Sequence, residues 1–128
     1  MPAFEPDPIS SEFWSRLRTG KLHLQQCGGC GSHIYYPRPF CPDCMSDALT
    51  WVPVSGRGTV HAFTIVHRHW NPAFETPCVV AMVALDEGPV MTARIEDITP
   101  DPGTMKIGLP VAFCLSDDAE PLPAFRPA

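Results

Sequence analysis

Four cysteines in two pairs carry the clearest chemistry in this sequence. Cys27 and Cys30 form one C-x2-C pair, and Cys41 and Cys44 form a second one after residues 31–40. Zinc prefers four ligands at the corners of a tetrahedron, and each C-x2-C turn lets two thiolates face one ion. Four Cys ligands leave no coordination position for water or substrate, so the pattern predicts one closed, structural zinc ion. A redox or disulfide pair is the less favoured alternative.

A histidine-rich loop is the next candidate for chemistry. His67 and His69 flank Arg68, and Trp70 follows. Two histidines at this spacing can bind metal or exchange protons, but no carboxylate–histidine cluster or nucleophile motif accompanies them. A polar loop anchored by Trp70 is therefore favoured over catalysis. Ligand binding stays open, because Arg68 offers a fork for phosphate and Trp70 a stacking face.

The remaining reactive side chains favour structural roles. Cys78 and Cys114 fall within apolar strand patterns, where a free Cys often behaves as a small buried hydrophobe. His33 is expected to be an exposed loop histidine, because four Cys already satisfy the zinc ion. A basic cluster is interpreted as a solvated face, with binding of CoA phosphates or an acidic partner surface as the alternative hypothesis; it comprises Arg16, Arg18, Lys21 and Arg38.

Charge and hydropathy exclude several classes of function. The 128 residues carry a formal net charge of −5, and a zinc ion held by four thiolates adds about −2. Nine basic residues argue against general nucleic-acid binding, which depends on surplus Lys and Arg. No stretch approaches the roughly 20 apolar residues of a membrane span. The acidic, Pro-rich N-terminus lacks the pattern of a secretory signal, so we expect a cytoplasmic protein.

The elements that must position these residues begin with a short helix at residues 10–19. Ser10 is placed to cap it and Gly20 to end it. A helix this short is not stable alone, so its apolar residues must be buried. Docking on its own domain and docking on another subunit are equally favoured; the side chains concerned are Phe13, Trp14 and Leu17.

Short strands dominate the rest of the chain. Three strands around residues 22–25, 34–36 and 49–52 frame the two cysteine pairs. Further runs of β-branched and aromatic residues follow, and with no helical run between them they predict a small Greek-key barrel of the OB type. These runs cover residues 59–66, 78–85, 90–95 and 111–115.

The order of these elements predicts the domain organisation of a mainly β protein. We expect an N-terminal extended segment and helix (1–20), a rubredoxin-like zinc ribbon (21–50), an OB-fold barrel (51–117) and a Pro-rich tail over the surface (118–128). Residues 79–85 are apolar on both faces of their strand. The outer face therefore needs cover from the helix, the tail or another subunit.

The combined motifs resemble a known family, the zinc-ribbon plus OB-fold proteins first described as domain of unknown function thirty-five. The resemblance covers about residues 4–126. The motifs that carry it are Phe13-Trp14, Leu22-x-Leu24-x-x-Cys27, Tyr36-Pro37-Arg38-x-x-Cys41-Pro42-x-Cys44, Ser55-Gly56-x-Gly58-Thr59-Val60, Phe63-Thr64-Ile65-Val66, Leu85-Asp86-Glu87-Gly88 and Ile107-Gly108.

The resemblance implies a non-catalytic accessory subunit of a thiolase-superfamily enzyme that acts on acyl-CoA. Such proteins accompany thiolases, thiolase-like aldolases of steroid side-chain degradation and hydroxymethylglutaryl-CoA synthase. They stabilise the partner or help to form the acyl-CoA channel, and the partner supplies the catalytic residues. We expect a hetero-oligomer in which this chain contacts its partner or ligand through Phe13, Trp14, Leu17, Arg38, Arg68, Trp70 and Phe74.

A stand-alone OB module that binds single-stranded nucleic acid is the alternative to this function. Aromatic side chains such as Phe63, Trp70 and Phe74 would stack on the bases. The acidic net charge weighs against it, and an independent hydrolase or redox enzyme is favoured still less.

Overall fold

One short helix and eight strands make up the secondary structure of the described residues. The computed structural model describes residues 8–68, 76–101, 103–116 and 122–128. The elements are α1 (Ser11–Leu17), β1 (His23–Cys27), β2 (His33–Ile34), β3 (Leu49–Pro53), β4 (Arg57–Val66), β5 (Cys78–Leu85), β6 (Val90–Ile95), β7 (Pro110–Leu115) and β8 (Pro123–Pro127). Among the described residues, no helix has the length and apolar character needed to cross a membrane.

The first three strands form the sheet of the zinc ribbon. Its order is β2-β1-β3, and both pairings are antiparallel. Gln25 lies in the centre of this sheet, opposite Ile34 on one side and Trp51 on the other. His33 was expected in an exposed loop, but it lies half-buried in β2 opposite Gln26.

The other five strands close into a barrel of order β4-β5-β6-β8-β7. Neighbouring strands are antiparallel except β6 and β8, which run parallel. Alternation along β5 places Val79, Ala81, Val83 and Leu85 inside the barrel. The mainly β class with an OB-like closed barrel is therefore confirmed.

The C-terminal segment differs from its prediction. A surface tail was expected at 118–128, yet Pro123–Pro127 is a barrel strand between β6 and β7. Its side chains Ala124 and Phe125 are fully buried. The two flanking prolines hid this strand in the sequence, since Pro is depleted in strands and signals a turn or loop.

The helix packs onto its own molecule. Phe13 and Leu17 are each only 2 % exposed, and the ring of Phe13 makes an edge-to-face contact with Tyr35 at a centroid distance of 5.8 Å. Of the two alternatives for this helix, docking on its own domain is the one observed. Burial also removes both side chains from any surface that a partner could touch, which corrects their expected role as partner contacts.

The larger of two hydrophobic clusters among the described residues joins the helix, the ribbon and the barrel. It includes Phe13 and Leu17 from the helix, Leu22 and Leu24 at the start of the ribbon, and Phe125 from the barrel. A smaller cluster lies at the cysteines and contains Cys27, Ile34 and Cys41, with Leu49 packed against it. The ribbon is thus packed into the same core as the barrel.

Candidate metal centre and its surroundings

Each cysteine pair lies in a loop with the same hydrogen bonds. In the first knuckle (residues 27–32), the amide of Cys27 donates to the carbonyl of Ser32 at 2.9 Å, and the amide of Gly31 donates to the carbonyl of Cys27 at 2.9 Å. In the second knuckle (residues 41–46), Cys41 donates to Ser46 at 2.8 Å and Met45 donates to Cys41 at 2.9 Å. Both turns therefore present their sulfur atoms in the same way.

The four sulfur atoms converge on one point. All lie within 4.8 Å of one another, with Cys27 Sγ 3.4 Å from Cys44 Sγ and Cys30 Sγ 3.6 Å from Cys41 Sγ. A disulfide needs about 2.05 Å, whereas zinc–sulfur bonds of about 2.3 Å in a tetrahedron place the sulfurs about 3.8 Å apart. The geometry fits one zinc ion, and these are the only grouped metal-ligating side chains within the described ranges.

Backbone amides point at the sulfur atoms of both knuckles. Gly29 and Cys30 donate to Cys27 Sγ at 3.3 and 3.5 Å, and Asp43 donates to Cys41 Sγ at 3.4 Å. The Cys30 amide is the largest influence lowering the pKa of Cys27, to about 6, despite the opposing effect of burial. Hydrogen bonds from these amides favour the thiolate form of Cys27, the form that binds zinc.

The last cysteine behaves in the opposite way. The amide of Ser46 lowers the pKa of Cys44. The contacts of the Cys44 thiol with the thiols of Cys27, Cys30 and Cys41 outweigh this effect and raise the pKa of Cys44 to about 12. Four thiolates this close repel one another unless a cation lies between them. The cluster is thus built to be completed by a metal ion, which would be held by all four sulfurs in a closed coordination shell.

A buried amide side chain fixes the loop that joins the two knuckles. Gln25, 7 % exposed, accepts a hydrogen bond from the amide of Arg38 at 2.8 Å and donates to the carbonyl of Arg38 at 3.0 Å. The Arg38 side chain remains exposed. It lines a cleft of about 330 Å³ between ribbon and barrel, together with His33 and Glu87.

Glu87 connects the β5–β6 turn to the segment that leaves the ribbon. Its carboxylate accepts hydrogen bonds from the amide of Ser55 at 2.9 Å and from the Ser55 hydroxyl at 3.4 Å. Burial raises the pKa of Glu87, but the bonds from Ser55 and the nearby His33 outweigh it and leave the pKa below the usual value. The sequence assigned no contact to Gln25 or Glu87, although Glu87 belongs to a family motif, since no local pattern marks a side chain that bonds a distant backbone.

The other expected contact residues are placed as follows. Trp14 is half-buried, and its indole nitrogen donates to the hydroxyl of Tyr36 at 3.0 Å. Arg68 is exposed just beyond β4. His69, Trp70 and Phe74 lie outside the described residues, so the predicted histidine and aromatic loop stays a prediction.

The two remaining cysteines and the basic cluster form no second site among the described residues. Cys78 and Cys114 are half-buried in β5 and β7, and burial is the main cause that raises the pKa of Cys78. This makes the Cys78 thiol less reactive, in keeping with a structural role in its strand. In the basic cluster, Arg16 pairs with Glu12 on the same helix at 3.5 Å.

Family models match most of the chain. The model described as the ChsH2 rubredoxin-like zinc ribbon domain matches residues 14–50, and the ChsH2 C-terminal OB-fold domain matches residues 51–115. The first match covers part of the helix and the ribbon up to the start of β3, and the second covers the rest of β3 and the barrel strands β4 to β7, but not β8.

Similar proteins fall into two groups by name. A probable enoyl-CoA hydratase alpha subunit of Thermomonospora curvata is 37 % identical over 98 % of this chain, which spans only 41 % of that protein. A DUF35 domain-containing scaffold protein of Pyrococcus furiosus is 40 % identical over 71 % of this chain and 68 % of its own length.

A solved structure matches nearly end to end. The structure named Ltp2-ChsH2(DUF35) aldolase has a TM-score of 0.85 and 32 % identity, covering 99 % of this chain and 98 % of the matched chain. The resemblance seen in the sequence motifs is thereby confirmed: the chain belongs to the ChsH2, or DUF35, family of zinc-ribbon and OB-fold proteins.

Proposed function

We propose that this chain is a non-catalytic accessory subunit of a thiolase-superfamily enzyme, such as a thiolase or a thiolase-like aldolase, that acts on acyl-CoA. The observation that carries the proposal is the near end-to-end match to a chain of the Ltp2-ChsH2(DUF35) aldolase. The names of the relatives support it further, since one is called an alpha subunit and another a scaffold protein.

The metal centre supports a structural role for this chain. Four Cys ligands fill the tetrahedron, so a bound zinc ion has no position left for a substrate or an activated water. The ion would hold the ribbon in shape, and the partner would supply the catalytic residues. Turnover then requires the complex.

Exposed apolar residues on the barrel support a partner surface. Met82 is 43 % exposed on the outer face of β5, and Val90 on β6 is 40 % exposed. The helix packs against β1, and β8 pairs with β6 and β7, so neither of these described elements covers Met82. Another subunit is the cover proposed for this face.

The expected contact set is narrowed by burial. Phe13 and Leu17 are withdrawn, because both are part of the core. We retain Trp14, Arg38 and Arg68 as proposed contacts with the partner or with acyl-CoA; Trp70 and Phe74, which lie outside the described residues, stay in the proposal on sequence grounds.

Co-purification tests the proposal directly. The chain is tagged, expressed in its native host, and the proteins that elute with it are identified. We expect a thiolase-like subunit in fixed ratio, with acyl-CoA turnover only when both chains are present. The proposal fails if the chain elutes alone as a stable monomer or shows turnover alone. Tight, salt-sensitive binding of single-stranded DNA in a gel shift would then favour the OB-module alternative.

A further inference from the structure

The two knuckles share their backbone hydrogen bonds but differ in sequence, and the difference that bears on backbone strain is at their fifth residue. The fourth residue after the first cysteine donates its amide back to that cysteine and takes a left-handed conformation, at Gly31 with φ 78° and at Met45 with φ 65°. Glycine adopts this conformation without steric cost, whereas a residue with a Cβ is strained there. The second knuckle thus carries a residue that its own fold does not favour.

The Met45 side chain is not buried, so the hydrophobic effect does not offset the strain of its backbone. Met45 is 71 % exposed, and Phe40, which precedes the same knuckle, is 49 % exposed. Met45 is the most exposed of the large apolar side chains among the described residues. A left-handed backbone and an exposed apolar side chain both lower the stability of the isolated chain, and an exposed apolar side chain of this size is typical of a contact surface.

The charges around Met45 indicate what that contact is. Asp43 and Asp47 are exposed on the same loop, and residues 39–48 contain no Lys or Arg, while the exposed Arg38 directly precedes them. A zinc ion with four thiolates adds a net charge of about −2 beneath the loop. An apolar tip inside a negative field is complementary to an apolar pocket with a basic rim.

We propose that the knuckle tip, defined as Phe40, Asp43, Met45 and Asp47, docks into an apolar pocket rimmed by Lys and Arg on the partner enzyme subunit. This rests on the proposed function for the existence of that subunit. Met45 is the anchor, because methionine is flexible and adapts its shape to a pocket. The role of the zinc ion in this contact is structural, because it holds the loop that presents Met45.

Binding measurements on the reconstituted complex test the proposal. The probe is the thiolase-like subunit recovered by co-purification, and its Kd for this chain is measured by a surface-based kinetic method. In Met45→Asn, the new residue accepts a left-handed backbone but removes the apolar side chain. We expect Kd to weaken at least about tenfold, as for an interface anchor, with unchanged zinc content and a melting temperature no lower than that of the wild type.

Three further variants serve as controls. Met45→Leu keeps an apolar side chain and should bind within about threefold of the wild type. Asp43→Lys should slow association, most strongly at low salt. Ile107→Asn removes an apolar side chain of similar exposure, 66 %, in the turn before β7 and should leave Kd unchanged.

The outcomes separate this proposal from the proposed function. If the wild-type chain binds the subunit but Met45→Asn binds equally well, the docking site is overturned and the accessory role stands. If Met45→Asn melts lower or loses zinc, Met45 is a structural residue and the docking site is overturned. An equal loss of affinity in Ile107→Asn has the same consequence. If the wild-type chain binds no thiolase-like subunit, both proposals fail.

Discussion

At the residue scale, two polar side chains fix backbone segments that are remote in sequence. Gln25 bonds both backbone groups of Arg38, and Glu87 bonds the amide and hydroxyl of Ser55. The first bond pair holds the loop between the knuckles, and the second holds the exit from the ribbon to the barrel. Removal of one partner from such a hydrogen bond lowers the stability of the protein, because the other polar group is left without a partner.

Replacement of Glu87 by Gln tests the second contact and its pH dependence. We expect a loss of roughly 0.5–1 kcal/mol at pH 7, a small value because the pair is partly solvated. The folded-state pKa of Glu87 is lowered, so its contribution is complete above the usual pKa of 4.5 and disappears as the pH falls through the folded-state value. Urea unfolding of both proteins between pH 7 and pH 3 measures the difference.

The informative quantity is the difference in unfolding free energy between the wild type and Glu87→Gln at each pH. Acid also protonates the zinc thiolates, and this lowers the stability of the wild type and of the variant alike. The interpretation is contradicted if the free-energy gap stays constant, or widens, on acidification.

At the element scale, the last strand completes the barrel. β8 pairs with β7 in antiparallel and with β6 in parallel orientation, and Phe125 projects into the core against Phe113 at a centroid distance of 6.1 Å. Without β8, the facing edges of β6 and β7 would expose unpaired backbone groups. The barrel therefore depends on a segment of only five residues.

Truncation of one side chain in β8 measures this dependence. Phe125→Ala should lower the free energy of unfolding by about 3–5 kcal/mol, because it leaves a cavity at a fully buried site. Its neighbour Arg126 is exposed, and Arg126→Ala should change stability by no more than about 0.5 kcal/mol. If denaturant unfolding shows that Phe125→Ala costs as little stability as Arg126→Ala, β8 contributes little to the closed barrel.

β8 is the strand that the sequence did not predict, and the reason is physical. The zinc ligands, the ribbon strands and β4 to β7 followed from local signals, because cysteine spacing and runs of β-branched residues act over a few positions. β8 did not, since Pro123 and Pro127 bracket a single strongly apolar residue. Its strand conformation comes from pairing with β6 and β7, which is tertiary context. The burial of Phe13 and Leu17 on their own domain likewise depended on a surface that no local pattern shows.

At the scale of the whole molecule, the metal site and the barrel share one core. Leu22 and Leu24 belong to the ribbon segment, yet they lie in the same buried cluster as Val83 and Phe125 of the barrel. The amide of Val54 also donates to the carbonyl of Leu22 at 3.0 Å. Loss of the ribbon would expose part of the barrel core to water.

Removal of zinc by a chelator should therefore destabilise the whole chain. We expect one unfolding transition at a lower temperature, seen equally by far-ultraviolet circular dichroism and by tryptophan fluorescence, because both parts share their core. Cys27→Ser should reproduce the effect without chelator, while Cys78→Ser should retain one zinc ion per chain. A barrel transition that is unchanged in the chelated protein would contradict this coupling.

The parallel pairing of β8 with β6 has a consequence for the chain as the ribosome makes it. All four cysteines and the strands of the ribbon sheet emerge before β4 begins, so zinc can be captured early. The outer edges of β4 and β6 then stay without their partner strands until residues 110–127 have left the exit tunnel. Throughout that interval the open edges of β4 and β6 are the part of the nascent protein that a chaperone would have to shield.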